Sequence, residues 1–296
     1  MGRGKKFEEA EPFFRAQGTE IATFLVKFAT EQGIPLADSN TATGGIVLIG
    51  WSLAAIHLLA LLAYANELPQ DTRSTLQKYL HTILSHGNTT FHPDAIINIF
   101  TYMFSDASTT ALGIPDQDRS DLSAWLETDD RKRFDLFFDW TTAHYIHKSI
   151  TSENPDDLEF NNPSDIPHSL RELSYEQRAA YTNLEAFTFT GCDGKLLFCD
   201  TTAFVALTKR ALFDKVRAET LPNVRVRYMS SGTSAGMLVW PLWMLRKYVE
   251  NPKELYGSDA EKARDIKSII QVEGNHFIFW EDPEKAIQHY SASINL

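Results

Sequence analysis

Two kinds of apolar pattern alternate along this chain. Short aliphatic and β-branched runs bounded by Gly, Pro, Ser, Asn or Asp predict strands at 46–49, 95–104, 224–228 and 266–272. Longer segments with apolar residues three or four positions apart predict helices at 7–33, 53–65, 71–84, 240–250 and 282–290. Strands that alternate with helices are typical of a parallel sheet with right-handed crossovers, so the pattern predicts the α/β class. No sheet strand is expected before residue 40.

The long interval between the second and third predicted strands contains residues 117–220, which show no ladder of strands. An aromatic helical piece lies at 134–140, and a polar linker with a proline lies at 152–157. We interpret this segment as a mostly helical cap or insertion. It separates two parts of one core, at 1–116 and 221–296.

Charge and cysteine content narrow the possible functions. The 296 residues carry a formal net charge of −11, which disfavours binding to nucleic acid. Cys192 and Cys199 have no cluster of ligand-forming residues around them, so we expect no metal, no cofactor and no disulfide framework. An N-terminus without an apolar signal region and two free thiols indicate a cytoplasmic protein. The pattern carries no prediction of oligomeric state.

One segment is long enough to suggest a membrane span. Residues 44–65 are largely apolar over 22 positions, and Ser52 and His57 are their polar interruptions. A Gly-Trp-Ser break follows the β-branched run, which favours a buried strand that leads into a buried helix. A membrane partner is therefore not expected.

The sequence Gly50-Trp51-Ser52-Leu53-Ala54 follows a predicted strand and begins a predicted helix. A serine at such a sharp turn is presented at the end of the sheet, and small neighbours let strand and helix approach closely. The backbone N–H of Leu53 at the helix start could donate to an oxyanion. Alternatively, Ser52 caps a buried helix.

A histidine occupies a similar position near the C-terminus. His276 follows the last predicted strand, after Gly274, where a general base could reach a serine on a neighbouring strand end. The alternative is a core histidine whose ring is satisfied by hydrogen bonds. His57, within the helix after Ser52, is interpreted as buried structure. Serine first and histidine near the C-terminus is the chain order of α/β-hydrolase triads.

The acid that would orient the histidine is harder to place. The loop at 230–236, after the third predicted strand, contains no carboxylate. Asp106 directly follows the second predicted strand and is the preferred acid, whereas Asp200 lies in the insertion. Asp106 could instead be a turn or cap residue.

These motifs together resemble the α/β-hydrolase fold superfamily, and within it fungal-type serine hydrolases. The resemblance rests on Gly50–Ala54, Ser105-Asp106 followed by 111–115, Val226-Arg227-Tyr228, and Gly274–Phe277 with 280–284. It implies a mostly parallel sheet with flanking helices and a helical cap. In this family the sharp strand-to-helix turn that carries the serine is called the nucleophile elbow. Several strands precede the elbow, and a His-Gly loop supplies a second oxyanion donor. Here 51 residues precede Ser52, and they predict one helix with loops. We therefore expect an N-terminally incomplete hydrolase fold with impaired activity.

Two functions follow as hypotheses. The first is a serine hydrolase that acts on an ester or related acyl bond of a small apolar substrate, with Ser52 as nucleophile, His276 as base and Asp106 as acid. Aromatic residues of the insertion would cover its pocket: Phe134, Phe137, Phe138, Trp140 and Tyr145. The second is a non-catalytic, hydrolase-like protein that binds a small apolar ligand or a protein partner.

Overall fold

The chain forms an α/β structure in which helices flank a four-stranded parallel sheet. It is a computed structural model. It describes residues 7–38, 43–85, 112–114, 127, 129–181, 183, 185, 201–271 and 273–294.

The four strands lie side by side in the order in which they occur along the chain. Each neighbouring pair is parallel, so all four carboxyl ends lie at one edge of the sheet. Ile83 at the centre of the sheet pairs with Leu48 on one side and Val226 on the other. The strands are β1 (Ile46–Gly50), β2 (Leu80–Ser85), β3 (Arg225–Ser231) and β4 (Ile266–Gln271).

Eleven α-helices occur in the described ranges, and short 3₁₀ turns lie at Ala65–Glu67, Pro155–Asp157 and Ser169–Glu172. The helices are α1 (Phe7–Glu31), α2 (Ala54–Tyr64), α3 (Gln70–Tyr79), α4 (Asp130–Thr142), α5 (Tyr175–Tyr181), α6 (Thr201–Leu212), α7 (Lys215–Ala218), α8 (Gly236–Glu250), α9 (Lys253–Tyr256), α10 (Ile278–Glu281) and α11 (Pro283–Ile294).

Three of the four predicted strands are confirmed, as β1, β3 and β4. The second strand of the sheet is β2, whereas the predicted strand at 95–104 lies outside the described residues. The helix predicted at 71–84 ends at Tyr79, where Leu80 turns to extended geometry. His81 and Thr82 are polar but buried, and they hydrogen-bond to each other, His81 Nδ1 to Thr82 Oγ1 at 2.6 Å. These polar residues break the apolar run that would have indicated a strand.

Before residue 40, the described residues contain α1 and no sheet strand, as predicted. Asp38 makes an isolated antiparallel bridge with Thr43. The chain then enters β1 as the first strand of the sheet.

Apolar clusters cover both faces of the sheet. The larger cluster joins strand residues such as Leu48 to helix residues such as Leu58 and Phe204, because α2 packs against α1 and α6. A smaller cluster on α11 contains Tyr290 with Ile49 and other strand residues. Burial between other helices explains why α2 is apolar all round. None of the helices in the described ranges combines the length and apolar character needed to cross a bilayer.

The described part of 117–220 contains helices, 3₁₀ turns and loops, without a strand. Its last long helix, α6, packs against α2 and belongs to the main apolar cluster. The earlier helices α4 and α5 lie near the carboxyl edge of the sheet. Thr142 of α4 accepts a hydrogen bond from Asn275 there, and Tyr181 of α5 lines the same cavity as Ser52. This part of the insertion is placed to cover the ends of the strands.

Candidate active site

The turn between β1 and α2 has the strained geometry expected of an elbow. Ser52 has a φ of 55°, and the only other described non-glycine residue with a positive φ is Glu153. This region is disfavoured for residues with a Cβ by about 1–3 kcal/mol, and such strain tends to cluster at functional sites. The unusual backbone therefore falls on the serine that the sequence singles out.

The turn is closed by main-chain bonds rather than by the serine side chain. Ala54 N donates to Trp51 O at 3.1 Å, and Ile56 N donates to Leu53 O at 3.1 Å. Leu53 occupies the N-cap position of α2, which has no side-chain cap bond. Ser52 therefore does not cap the helix, and the N–H of Leu53 lies at a helix end where backbone donors lack helical partners.

The loop that carries His276 is held from two sides. Gly274 has a φ of 95°, and a Cβ at this position would approach Ile278 Cβ to 2.7 Å. Its carbonyl accepts a bond from Thr233 N at 3.1 Å, which ties the loop to the end of β3. This position requires glycine, both because of its positive φ and because a Cβ would collide with Ile278.

Asn275, directly before the histidine, fastens the same loop to the insertion. The residue is fully buried, and its Nδ2 donates to Thr142 O at 2.6 Å. Its Oδ1 accepts from Phe277 N at 2.9 Å. A buried amide with both ends bonded fixes the backbone on either side of His276.

Ser52 and His276 follow strands that are not neighbours. Two strands separate β1 from β4, which corresponds to roughly 14 Å at the usual strand spacing. The expectation that the histidine follows a strand next to that of the serine is therefore wrong. The loop after β4 closes this gap, since the indole Nε1 of Trp51 donates to His276 O at 3.1 Å.

Both residues line one cavity of about 590 Å³ at this edge of the sheet. His276 is buried, and Ser52 is partly exposed. In the part of the chain that the structure describes, no hydrogen bond joins Ser52 Oγ to His276. Hydrogen bonds between catalytic groups are often long in unliganded proteins and shorten when substrate binds.

The insertion supplies one wall of the cavity through Phe134, Phe137 and Phe138. These three were predicted to lie there, whereas Trp140 and Tyr145 do not line the cavity. Tyr145 is buried in the main core, and its hydroxyl donates to Trp140 O at 3.1 Å. The helical period of α4 turns only one of its faces towards the cavity.

Arg178, which the sequence did not single out, holds this wall together. Its guanidinium donates to Leu173 O at 3.1 Å and to Arg171 O at 3.0 Å, and it pairs with Asp139 at 2.9 Å. It also lies 4.6 Å from the ring centre of Phe138. All three guanidinium nitrogens are engaged, and the charge is matched by a carboxylate.

The rim of the cavity is aromatic. Tyr181 of the insertion packs edge-on against Trp280 of α10, with ring centres 5.4 Å apart. His57 also lines the cavity and lies edge-on to Phe13 of α1 at 6.1 Å. The sequence placed His57 among buried structural residues, and no local signal marked the other rim residues.

The loop after β3, where an acid that orients the histidine was sought, makes other contacts. Thr233 Oγ1 bonds His144 Nδ1 at 2.8 Å, and Ser234 O bonds His147 Nε2 at 2.8 Å. Burial lowers the pKa of His144 below its usual value, and the carboxylate of Glu281 acts in the opposite direction. These contacts dock the insertion on the loop after β3.

Asp106 lies outside the described residues. It was chosen because it follows the predicted strand at 95–104, but the second strand of the sheet ends at Ser85. The predicted strand at 95–104 also lies outside the described residues, so Asp106 stays a prediction.

Within the described ranges, no group of three His, Cys, Asp or Glu side chains is placed to hold a metal ion. Comparison with protein-family models, curated proteins and solved structures finds no significant match for this chain. Function is therefore inferred from the geometry of this site.

Proposed function

We propose that this protein is a serine hydrolase of the α/β-hydrolase type that cleaves an ester or related acyl bond of a small apolar substrate. The observation that carries the proposal is the φ of 55° at Ser52, at a strand-to-helix turn that opens into a cavity. His276 lines the same cavity and supports the assignment of a base. The strand order, with serine after β1 and histidine after β4, is compatible with this class.

In the proposed reaction, Ser52 Oγ attacks the acyl carbon while His276 takes the hydroxyl proton. The Leu53 N–H donates to the oxyanion that forms on the carbonyl oxygen. Collapse of this intermediate expels the alcohol, which receives the proton from His276. Water then attacks the acyl-enzyme with His276 again as base, and the acid product leaves Ser52. Asp106 is the proposed acid that orients the imidazole.

The cavity favours an uncharged substrate. Its walls carry many aromatic rings, among them Phe137, Phe277 and Phe279. Arg178 lines it, but the charge of Arg178 is already paired with Asp139. A charged group on the substrate would lose its hydration in this cavity without gaining a partner of opposite charge.

A fluorophosphonate probe tests the proposal, because it bonds covalently to an activated serine and expels fluoride. We expect labelling of the native protein and none of Ser52→Ala or His276→Ala. Ser258→Ala is the matched control, since Ser258 is exposed and does not line the cavity. Labelling that persists in Ser52→Ala would refute the assignment.

A non-catalytic binding protein is the second candidate. It is favoured by the loop after β3, which offers Thr233 to His144 where a carboxylate would orient the base. The same cavity would then hold an apolar ligand without chemistry. Saturable binding of an apolar fluorophore, lost in Phe137→Ala, together with no labelling of Ser52, would support this alternative over the hydrolase.

A further inference from the structure

The elbow and the histidine loop are joined directly by one side chain. Trp51 precedes Ser52, and its indole Nε1–H donates to the main-chain oxygen of His276 at 3.1 Å. The two residues are 225 positions apart along the chain. This bond goes to the backbone of His276, so it fixes the position of the residue without engaging the imidazole ring.

The indole ring adds packing to this bond. Its centre lies 5.1 Å from that of His276, 4.8 Å from Phe277 and 5.5 Å from Phe279. The contacts to the two phenylalanines are edge-on, an arrangement that is favourable for aromatic rings beyond the burial of their surface. The loop therefore rests on the indole over several residues.

We propose that Trp51 is a positioning residue that holds the His276 loop against the elbow and so sets the approach of the base to Ser52. The need for such a tie follows from the sheet, because β1 and β4 are separated by two strands. Shared strand pairing cannot align the two loops. The inference rests on the proposed function for its catalytic consequence, but the positioning itself can be measured without catalysis.

The test replaces the donor and keeps the ring. In 3-benzothienylalanine, sulfur takes the place of the indole N–H, so Trp51→3-benzothienylalanine removes the bond to His276 O with little change of shape. We expect kcat for a short p-nitrophenyl ester to fall by about 10-fold to 100-fold, since small misplacements of catalytic groups cost this much. KM should stay within about twofold, because the cavity wall is retained.

The chain offers a matched control. Trp243 Nε1 donates to Ile150 O at 3.2 Å, and this tryptophan is buried in the main core without lining the cavity. The same replacement at Trp243 removes a bond of the same kind at a distance from the site. It should leave kcat and KM unchanged.

Hydrogen exchange of the peptide spanning 273–279 separates the two proposals. Faster exchange in the Trp51 variant, and not in the Trp243 variant, supports the positioning role even if the native protein takes no fluorophosphonate label. In that case the hydrolase proposal fails and the tie stands. Native kcat and native exchange in the Trp51 variant would overturn the inference while leaving the hydrolase proposal intact. An equal fall of kcat in both variants would also overturn it.

Discussion

Substitution of Gly274 tests how closely the histidine loop is packed. An alanine here must adopt a φ of 95° and bring its Cβ to 2.7 Å from Ile278 Cβ. The backbone term costs about 1–2 kcal/mol for a residue with a Cβ. Forcing a methyl group into packed surroundings adds about 1–3 kcal/mol. Gly274→Ala should therefore destabilise the fold by about 2–5 kcal/mol.

Gly33 is the matched control. It has a φ of 63°, and a Cβ at this position would meet nothing within 4 Å. Gly33→Ala therefore incurs the backbone term alone. The difference between the two variants therefore reports mainly the packing term of about 1–3 kcal/mol.

Thermal unfolding of both variants measures this difference. At roughly 2–4 °C per kcal/mol for chains of this size, Gly274→Ala should melt about 2–12 °C below Gly33→Ala. The rate of fluorophosphonate labelling should fall for Gly274→Ala alone, because the displaced backbone carries His276. Equal melting temperatures in the two variants would refute the close packing argued for this loop.

Two further predictions concern the docking of the insertion. Burial lowers the pKa of His144 and His168 below 6.5 in the folded protein, so the unfolded chain takes up protons first as pH falls. Their contribution to stability is present above 6.5 and is lost below it, by up to about 1.4 kcal/mol per pH unit for each ring. The melting temperature should fall between about pH 7.5 and about pH 5.5, and less steeply in His168→Gln; an equal slope would contradict this assignment. Arg178→Lys keeps the charge beside Asp139 but loses the planar fork, so calorimetry should show a loss of about 1–3 kcal/mol. Arg246 is half-exposed, so Arg246→Lys should lose about 0.5 kcal/mol or less. Equal losses in the two variants would argue against the role of Arg178 in holding the cavity wall.

Local pattern was sufficient where an element's own residues determine its structure. The β-branched run before Gly50 and the apolar segment after Leu53 predicted a strand, a turn and a helix, and these are β1 and α2. The alternation at Val226 and the run at Ile269 likewise predicted β3 and β4. Strand and helix periods are properties of neighbouring residues, so they can be read without the rest of the chain.

β2 escaped prediction because buried polar residues interrupt its pattern. His81 Nδ1 and Thr82 Oγ1 hydrogen-bond to each other inside the sheet, an arrangement that hydropathy alone does not reveal. The choice of Asp106 depended on the strand predicted at 95–104, which lies outside the described residues. Asp106 therefore stays a prediction.

The sequence by itself determined that Ser52 stands at a strand-to-helix turn and that His276 follows a strand. Only the tertiary structure decided how two residues at the ends of non-adjacent strands come to share one cavity. That outcome depends on the path of the loop after β4, on the close packing of Gly274 against Ile278 and on the bond from Trp51 to His276. Contacts between residues so distant along the chain are set by packing and chain path, which leave no periodic signal in the local sequence.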